Sequence, residues 1–169
     1  MKTKLMMVVM ALFVVLIGAN AVAEETGWAD PRVARLLQEK GIDYDVSRSG
    51  NYCLTFPSLV SNQVRRVWIE SRTAQFSMLE IRNVWSVAYI AKGHISLDDA
   101  KNFLTRNYLI KMGAWQVVED DGKYVVIFSA KVDADQTPTS FKEVIALVRV
   151  TADGVAKQIA DGRLFQPGE

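Results

Sequence analysis

The chain is poor in the residues that disulfides and metal sites require. It contains one cysteine, Cys53, and one histidine, His94. A single cysteine excludes an intramolecular disulfide. A zinc site usually takes several His or Cys ligands, and this chain has one of each. We therefore expect neither a metal nor a cofactor. His94 follows Gly93 in a polar turn and has no G-x-S-x-G sequence around it, which favours an exposed loop residue. No Gly-rich phosphate loop is present either. We therefore expect no catalytic residues and no enzyme.

Cys53 has three interpretations in the sequence: a reactive thiol, an intermolecular bridge or a small buried apolar residue. It lies in the segment Tyr52-Cys53-Leu54-Thr55-Phe56. In a strand, Tyr52, Leu54 and Phe56 would share one face, and Cys53 would share the other with Thr55. This position favours the buried structural residue.

An excess of charge of either sign is also missing. The chain has 20 Lys and Arg against 19 Asp and Glu. Lys2 and Lys4 are the only charged residues among the first 23, so residues 24–169 carry 18 basic against 19 acidic side chains. Binding to nucleic acid or to an anionic membrane usually needs a basic patch. We expect neither partner.

The first 23 residues have the pattern of a secretory signal peptide. Lys2 and Lys4 precede an apolar run, Leu5 to Ile17, and Ala21-Val22-Ala23 forms a small-x-small cleavage site. An uncleaved anchor is the alternative, but a run of about 13 residues is short of the roughly 20 needed to cross a bilayer. The pattern predicts cleavage after Ala23, a periplasmic or secreted bacterial protein, and no stable membrane insertion afterwards.

The remaining chain predicts a short tail at residues 24–29, a single α+β domain at 30–162 and a C-terminal tail at 163–169. Helix starts are indicated by Asp30-Pro31, by Ser96 and by Thr137-Pro138. Period-two segments lie between these helices. We expect a twisted, mostly antiparallel sheet with helices packed on it, in the order α-β-β-β(-β)-α-β-β-α.

Two features of this pattern give specific structural predictions, one for the central strands and one for the middle helix. Strands at 64–71 and 76–91 are predicted around a turn at Arg72-Thr73-Ala74-Gln75, with a bend near Asn83. The middle helix should bury a face with four members, namely Ala100, Phe103, Leu104 and Tyr108.

The last helix carries two apolar lines. The main line recurs at three-and-four spacing and comprises Phe141, Val144, Ile145, Val148, Ala152, Val155 and Ile159. Leu147 and Val150 form a second, narrower line beside it. Either both lines are buried in one core, or the second meets a partner or another protomer.

Tryptophans are the other candidate binding residues. Trp68, Trp85 and Trp115 lie on predicted strands, and at least two of them should be buried in the core. One that is exposed on an open sheet face would be able to anchor a peptide, because aromatic residues dominate binding hot spots. Trp28, in the N-terminal tail, is expected to be exposed.

The second half of the sequence resembles a known family. Asn107 precedes Met112-Gly113-Ala114-Trp115, and then Tyr124–Ala130 and Thr137–Phe141 follow in order. This succession resembles the YbjN-like family, the bacterial sensory transduction regulators, whose fold is similar to that of type III secretion chaperones. The resemblance implies a fold suited to binding another polypeptide, often as a homodimer, and supplies no catalytic residues. The signal peptide and a longer central strand region depart from the family pattern.

Together these observations predict an exported, non-enzymatic protein that binds a polypeptide, with a chaperone-like or regulatory role. Its partner would bind along a sheet edge or a helix groove. The candidate binding residues are Trp68, Trp85, Leu147 and Val150. The alternative is a small-molecule or lipid carrier with a pocket between sheet and helices, lined by Tyr44, Phe56 and Trp85.

Overall fold

The computed structural model of the chain describes residues 27–91 and 93–163. The signal peptide, its cleavage site after Ala23 and residues 164–169 lie outside this part, so those predictions remain predictions. The elements in chain order are α1 (Pro31–Glu39), β1 (Asp45–Val46), β2 (Tyr52–Pro57), β3 (Val64–Phe76), β4 (Leu79–Ala91), α2 (Leu97–Leu109), β5 (Ala114–Asp120), β6 (Lys123–Asp133) and α3 (Pro138–Ala160).

The strands form a single six-stranded sheet in the order β1-β2-β3-β4-β6-β5, and every neighbouring pair is antiparallel. This confirms the α+β class and the predicted order of elements, with four strands between α1 and α2. Within the described residues, none of the helices combines the length and the apolar character that crossing a bilayer requires.

All three helix starts are the predicted ones. The Asp30 carboxylate accepts from the amide of Arg32 at 2.9 Å, the Ser96 hydroxyl from Asp99 at 3.1 Å, and the Thr137 hydroxyl from Ser140 at 3.2 Å. These side chains satisfy first-turn amides that the helix itself leaves without partners. The end of α1 is also as expected: Gly41 has φ 61°, a left-handed conformation that glycine adopts without strain.

The core lies between the helices and one face of the sheet. Its buried members on β6 and α3 alternate or recur at helical spacing, as the patterns predict: Val126, Phe128, Ala130, Val132, Phe141, Val144, Ile145, Val148, Ala152 and Val155. Trp115 of β5 is buried between Phe103, at 5.2 Å between ring centroids, and Phe128, at 5.1 Å. This aromatic cluster holds α2 against β5 and β6 of the sheet.

The predicted turn between the third and fourth strands is wrong. The chain continues as a strand through residues 72–75 and reverses at Ser77 and Met78, where Ser77 takes the left-handed conformation at φ 55°. Residues 72–75, three of which are polar, are tolerated in a strand here because this end of the hairpin is solvent-exposed. The bend expected near Asn83 is also displaced, since the irregularities fall between Ile69 and Thr73 and between Val87 and Tyr89.

The predicted buried face of the middle helix is largely wrong too. Only Phe103 of α2 is buried, whereas Leu104 is 69% and Tyr108 89% exposed. The reason is the position of α2, which packs beside the edge strand β5 and not over the middle of the sheet. A helix at an edge buries a narrow stripe, so most of its apolar residues stay in solvent.

A buried ionic cluster joins α1 to the sheet. Asp30 and Arg82 are each 1% exposed and form an ion pair, and Arg32 binds both Asp30 at 2.8 Å and Glu80 at 2.6 Å. The hydroxyl of Tyr52 donates to the carbonyl of Asp30 at 2.8 Å. One carboxylate therefore caps α1 and at the same time neutralises the arginine inside the sheet.

Stability is expected to fall in acid because of this cluster. Burial alone would raise the pKa of Asp30, but hydrogen bonds from Arg32 and Arg82 outweigh it and lower the pKa from 3.8 to about 2. The hydrogen bond from Arg32 lowers the pKa of Glu80 from 4.5 to about 2. The folded state therefore binds fewer protons than the unfolded state between about pH 5 and pH 2, and acid favours unfolding. Urea unfolding should give a constant free energy from pH 7 to 5 and a decline below it. A flat profile down to pH 2 would contradict this assignment.

Candidate functional site

A groove runs along one side of α3, between this helix and the elements around the sheet edge. The α3 residues that line it recur at helical spacing along one face: Ser140, Glu143, Val144, Leu147, Val150, Thr151, Gly154, Val155 and Gln158. The opposite wall is formed by α2, the α2–β5 turn and the end of β6. We call this surface the α3 groove.

The first half of the α3 groove is a depression of about 660 Å³ beside β6. Val132 and Val144 lie at its floor, and Met112 and Leu147 stand at its sides. Its polar rim consists of Lys131, Asp133, Gln136, Ser140 and Glu143. An apolar floor with a polar rim is the usual composition of a binding site.

The second half is a smaller depression of about 300 Å³ between α2 and α3. It contains Leu109, Val150 and the edge of Trp115. Arg106 of α2 donates to Gln158 of α3 at 2.8 Å, which links the two helices near the far end of the groove. The two depressions follow one another along the same helix face.

The second apolar line of α3 lies in this groove. Leu147 is 36% and Val150 52% exposed, so the interpretation that both lines are buried in one core is wrong. Met112 and Leu109 are exposed beside them. Large apolar side chains that cluster in a groove at the surface mark interaction sites more often than scattered ones do. The sequence identified Leu147 and Val150, but it did not place Met112 or Leu109 opposite them.

Asn107 fixes the wall of the groove that α2 provides. Its side-chain oxygen accepts from the amide of Trp115 at 2.7 Å, and its side-chain nitrogen donates to the carbonyl of Trp115 at 3.2 Å. The asparagine thus acts as a short piece of neighbouring strand on the outer edge of β5. Gly113, at φ 84°, lets the chain turn between them, and a Cβ there would lie 2.7 Å from the carbonyl oxygen of Ser129.

Replacing Asn107 with alanine is expected to lower the free energy of unfolding by about 1–3 kcal/mol, because the backbone groups of a buried residue lose both partners. The matched control is Asn102→Ala on the same helix, where the exposed side chain accepts only from Arg106. That control should stay within about 0.5 kcal/mol of wild type. Chemical denaturation of the wild type and the two variants measures both changes in the free energy of unfolding. Equal losses in the two variants would show that Asn107 has no special role.

Trp68 and Trp85 lie on the opposite face of the sheet from the helices. They are direct cross-strand partners, with ring centroids 5.7 Å apart and planes inclined by 19°. Trp115 alone of the three strand tryptophans is fully buried, so the prediction that at least two are in the core is wrong. Trp28 is exposed, as expected. The four candidate binding residues therefore form two separate surfaces.

The pocket predicted between sheet and helices is not formed by its three proposed residues. Trp85 faces away from the helices, whereas Tyr44 and Phe56 pack against the core. The guanidinium of Arg149 lies over the ring of Phe56, 4.7 Å from its centroid, and Tyr44 packs against Tyr52. Tyr44 and Phe56 are therefore engaged in packing contacts, on the other side of the sheet from Trp85.

The remaining candidates behave as structural residues. Cys53 is buried on the strand face it shares with Thr55, and burial raises the pKa of its thiol, which makes it less reactive. His94 is exposed and lies near the ring of Tyr124.

No family profile matches this sequence, and no curated protein does. Among solved structures, the chain is similar to the crystal structure of YbjN from E. coli, which is described as a proposed transcription regulator. The TM-score is 0.51 at 9% sequence identity, and the similarity covers 80% of this chain and 94% of that one. At this identity the similarity concerns the fold alone. The chain has the YbjN fold.

Proposed function

We propose that this chain is a non-enzymatic protein that binds a segment of another polypeptide in the α3 groove. The observation that carries the proposal is the row of exposed apolar side chains, Leu109, Met112, Leu147 and Val150, along one elongated surface. Leaving such a row in water is unfavourable, and covering it with a partner's apolar residues removes that cost.

The length of the groove suits a helix. From Ser140 to Gln158 the axis of α3 rises about 27 Å at about 1.5 Å per residue, so a partner helix of about five turns would lie alongside it. An amphipathic helix places apolar residues at three-and-four spacing and would contact both depressions in turn. The rim contains Glu143 of α3, whose carboxylate would attract a basic residue on the partner.

The cellular role in this proposal is regulatory or chaperone-like. The similar YbjN structure is described as a proposed transcription regulator. The near balance of acidic and basic residues argues for regulation through a protein partner over direct contact with DNA. The pattern of the first 23 residues supports a periplasmic location for this binding.

Selection from a displayed library of random 20-residue peptides on the immobilised protein tests the proposal. We expect enrichment of sequences with apolar residues at helical spacing, and binding of the enriched peptides should be lost with Leu147→Asp. Leu104→Asp is the matched control, because Leu104 is an exposed leucine on α2 that does not line the groove. The proposal fails if no family of peptides is enriched, or if the enriched peptides bind both variants equally.

A further inference from the structure

A depression of about 630 Å³ lies on the face of the sheet opposite the helices, which we call the open face. Ile81 and Asn83 of β4 line it, and they alternate with buried Arg82 and Val84, which point to the core. Its volume is within the range of small-molecule sites, about 300–1,000 Å³. The sheet separates this depression from α3, so a ligand here would not occupy the α3 groove.

A short side chain accounts for the depression. Ala74 of β3 pairs directly with Ile81 of β4, so their side chains lie side by side on the open face. Arg72 and Phe76 lie two residues to either side of Ala74 and also line the depression. An alanine between two long side chains leaves a hollow. The floor of this hollow is apolar, and Phe76, which is 74% exposed, forms one wall.

A row of polar side chains crosses three strands at one end of the depression. Asn83 and Lys131 are cross-strand partners, and the side-chain nitrogen of Asn83 donates to the carboxylate of Glu70 at 3.0 Å. The hydroxyl of buried Ser129 donates to the side-chain oxygen of Asn83. Because a carboxylate only accepts, the orientation of the Asn83 amide is determined. Asn83 is therefore held from both sides, and it positions Glu70.

The two charges of this row do not pair with each other. Neighbouring strands are about 4.8 Å apart, so the backbones at Glu70 and Lys131, on either side of β4, are about 10 Å apart. Within the part of the chain that the structure describes, the ammonium of Lys131 has no ion-pair or hydrogen-bond partner. Among the same residues, the carboxylate of Glu70 binds Asn83 and keeps further acceptor sites. One positive and one negative group are thus available to a ligand.

We propose that this depression binds a free α-amino acid with an apolar side chain. The ammonium group of the ligand pairs with Glu70, and its carboxylate pairs with Lys131. Both ligand charges are attached to one carbon atom, so a single molecule bridges the gap between the two side chains. A ligand with only one charge would leave either Glu70 or Lys131 without a counter-charge.

The position of the hollow determines which side chain the ligand carries. Ile81 lies two residues from Asn83 along β4, which is about 7 Å at about 3.4 Å per residue. A leucine-sized or phenylalanine-sized side chain that starts at the polar row therefore reaches over Ala74 and Ile81. It would also cover the ring of Phe76, which removes apolar surface from water, and an aromatic ligand would add a ring–ring contact.

Amide-resolved NMR titration of the protein produced from the full-length sequence tests this proposal with four compounds. They are L-phenylalanine, N-acetyl-L-phenylalanine without the ammonium group, L-phenylalanine amide without the carboxylate, and glycine without the side chain. We expect a millimolar or tighter dissociation constant for L-phenylalanine, and about tenfold weaker binding of each of the other three. The largest shift changes should fall on Ala74, Ile81 and the side-chain amide of Asn83.

Two substitutions connect each ligand charge to one side chain. Glu70→Gln keeps an acceptor for Asn83 and should weaken L-phenylalanine binding about tenfold, without weakening binding of the N-acetyl compound. Lys131→Met should weaken L-phenylalanine binding by a similar factor, without weakening binding of the amide. Glu119→Gln and Lys123→Met are the matched controls. They change exposed charges at the far ends of β5 and β6 and should leave every dissociation constant unchanged.

Three results would overturn the proposal. The first is no binding of L-phenylalanine at millimolar concentration. The second is equal binding of the free and the blocked compounds, which would show that the charges are not recognised. The third is an equal effect of Glu70→Gln or Lys131→Met on all four compounds in proteins whose spectra show an intact fold. Leu147→Asp should leave the L-phenylalanine titration unchanged, so the test does not depend on the α3 groove.

Discussion

Replacing Asp30 with alanine is expected to lower the free energy of unfolding by about 3–5 kcal/mol. The substitution leaves the guanidinium of Arg82 inside the protein without its counter-charge, since both side chains are 1% exposed. It also removes the cap of α1, which by itself contributes about 0.5–2 kcal/mol. Urea unfolding followed by circular dichroism measures the loss.

The double variant Asp30→Ala/Arg82→Met is the informative control. It removes the buried charge together with its partner, and replacing a whole buried ion pair with apolar groups is often nearly neutral. We expect the double variant to be more stable than Asp30→Ala alone. A loss below about 1 kcal/mol for Asp30→Ala would contradict the assignment of a buried pair, since removing one partner of such a pair costs more.

Leu147→Asp is expected to weaken binding of a groove-selected peptide about 100-fold. Such a loss corresponds to about 2.7 kcal/mol, the range of a residue at the centre of an interface. Leu147 stands at the side of the larger depression, close to Val144 and Met112, so a partner's apolar residue would be desolvated against it. An aspartate there would bury a carboxylate without a partner. Titration calorimetry gives both dissociation constants.

Because Leu147 is already partly exposed, Leu147→Asp should leave the fold intact. Leu104→Asp, with the same change of charge on a neighbouring helix, should change the dissociation constant by less than about threefold if it lies outside the interface. If the Leu147→Asp protein is folded and binds the peptide as tightly as wild type does, the α3 groove is not the binding site. Equal weakening by both substitutions would indicate a general effect of negative charge.

Local signals predicted the parts of the fold that local chemistry determines. The caps Asp30, Ser96 and Thr137 lie where the sequence indicates, because each accepts a hydrogen bond from an amide within the next three residues. Gly41 ends α1 as indicated, because its left-handed conformation is a property of the residue itself. The turn at Ser77 and Met78 was missed because Ser77 is the only usual turn residue there, and no Gly, Pro, Asn or Asp marks the position. Its position follows from the pairing of β3 with β4 and from Thr73, which donates to Glu80 across the hairpin.

The candidate site could be predicted only in part. The line formed by Leu147 and Val150 is visible in the helical periodicity, but whether it is buried depends on where α2 lies. That position is set by Asn107, which binds the backbone of Trp115 on another element. The stacking of Trp68 on Trp85 likewise depends on the register of β3 and β4, and alternation within each strand cannot supply that register.

The most direct test of the central claim is an amide-resolved NMR titration of the protein with a peptide selected on it. Our account predicts that the largest shift changes fall on residues 140–158 of α3 and on Leu109, Met112 and Val132. The indole signals of Trp68 and Trp85, on the far side of the sheet, should stay in place. Shifts centred on those two indoles, with α3 unchanged, would contradict the assignment of the groove and place polypeptide binding on the open face of the sheet.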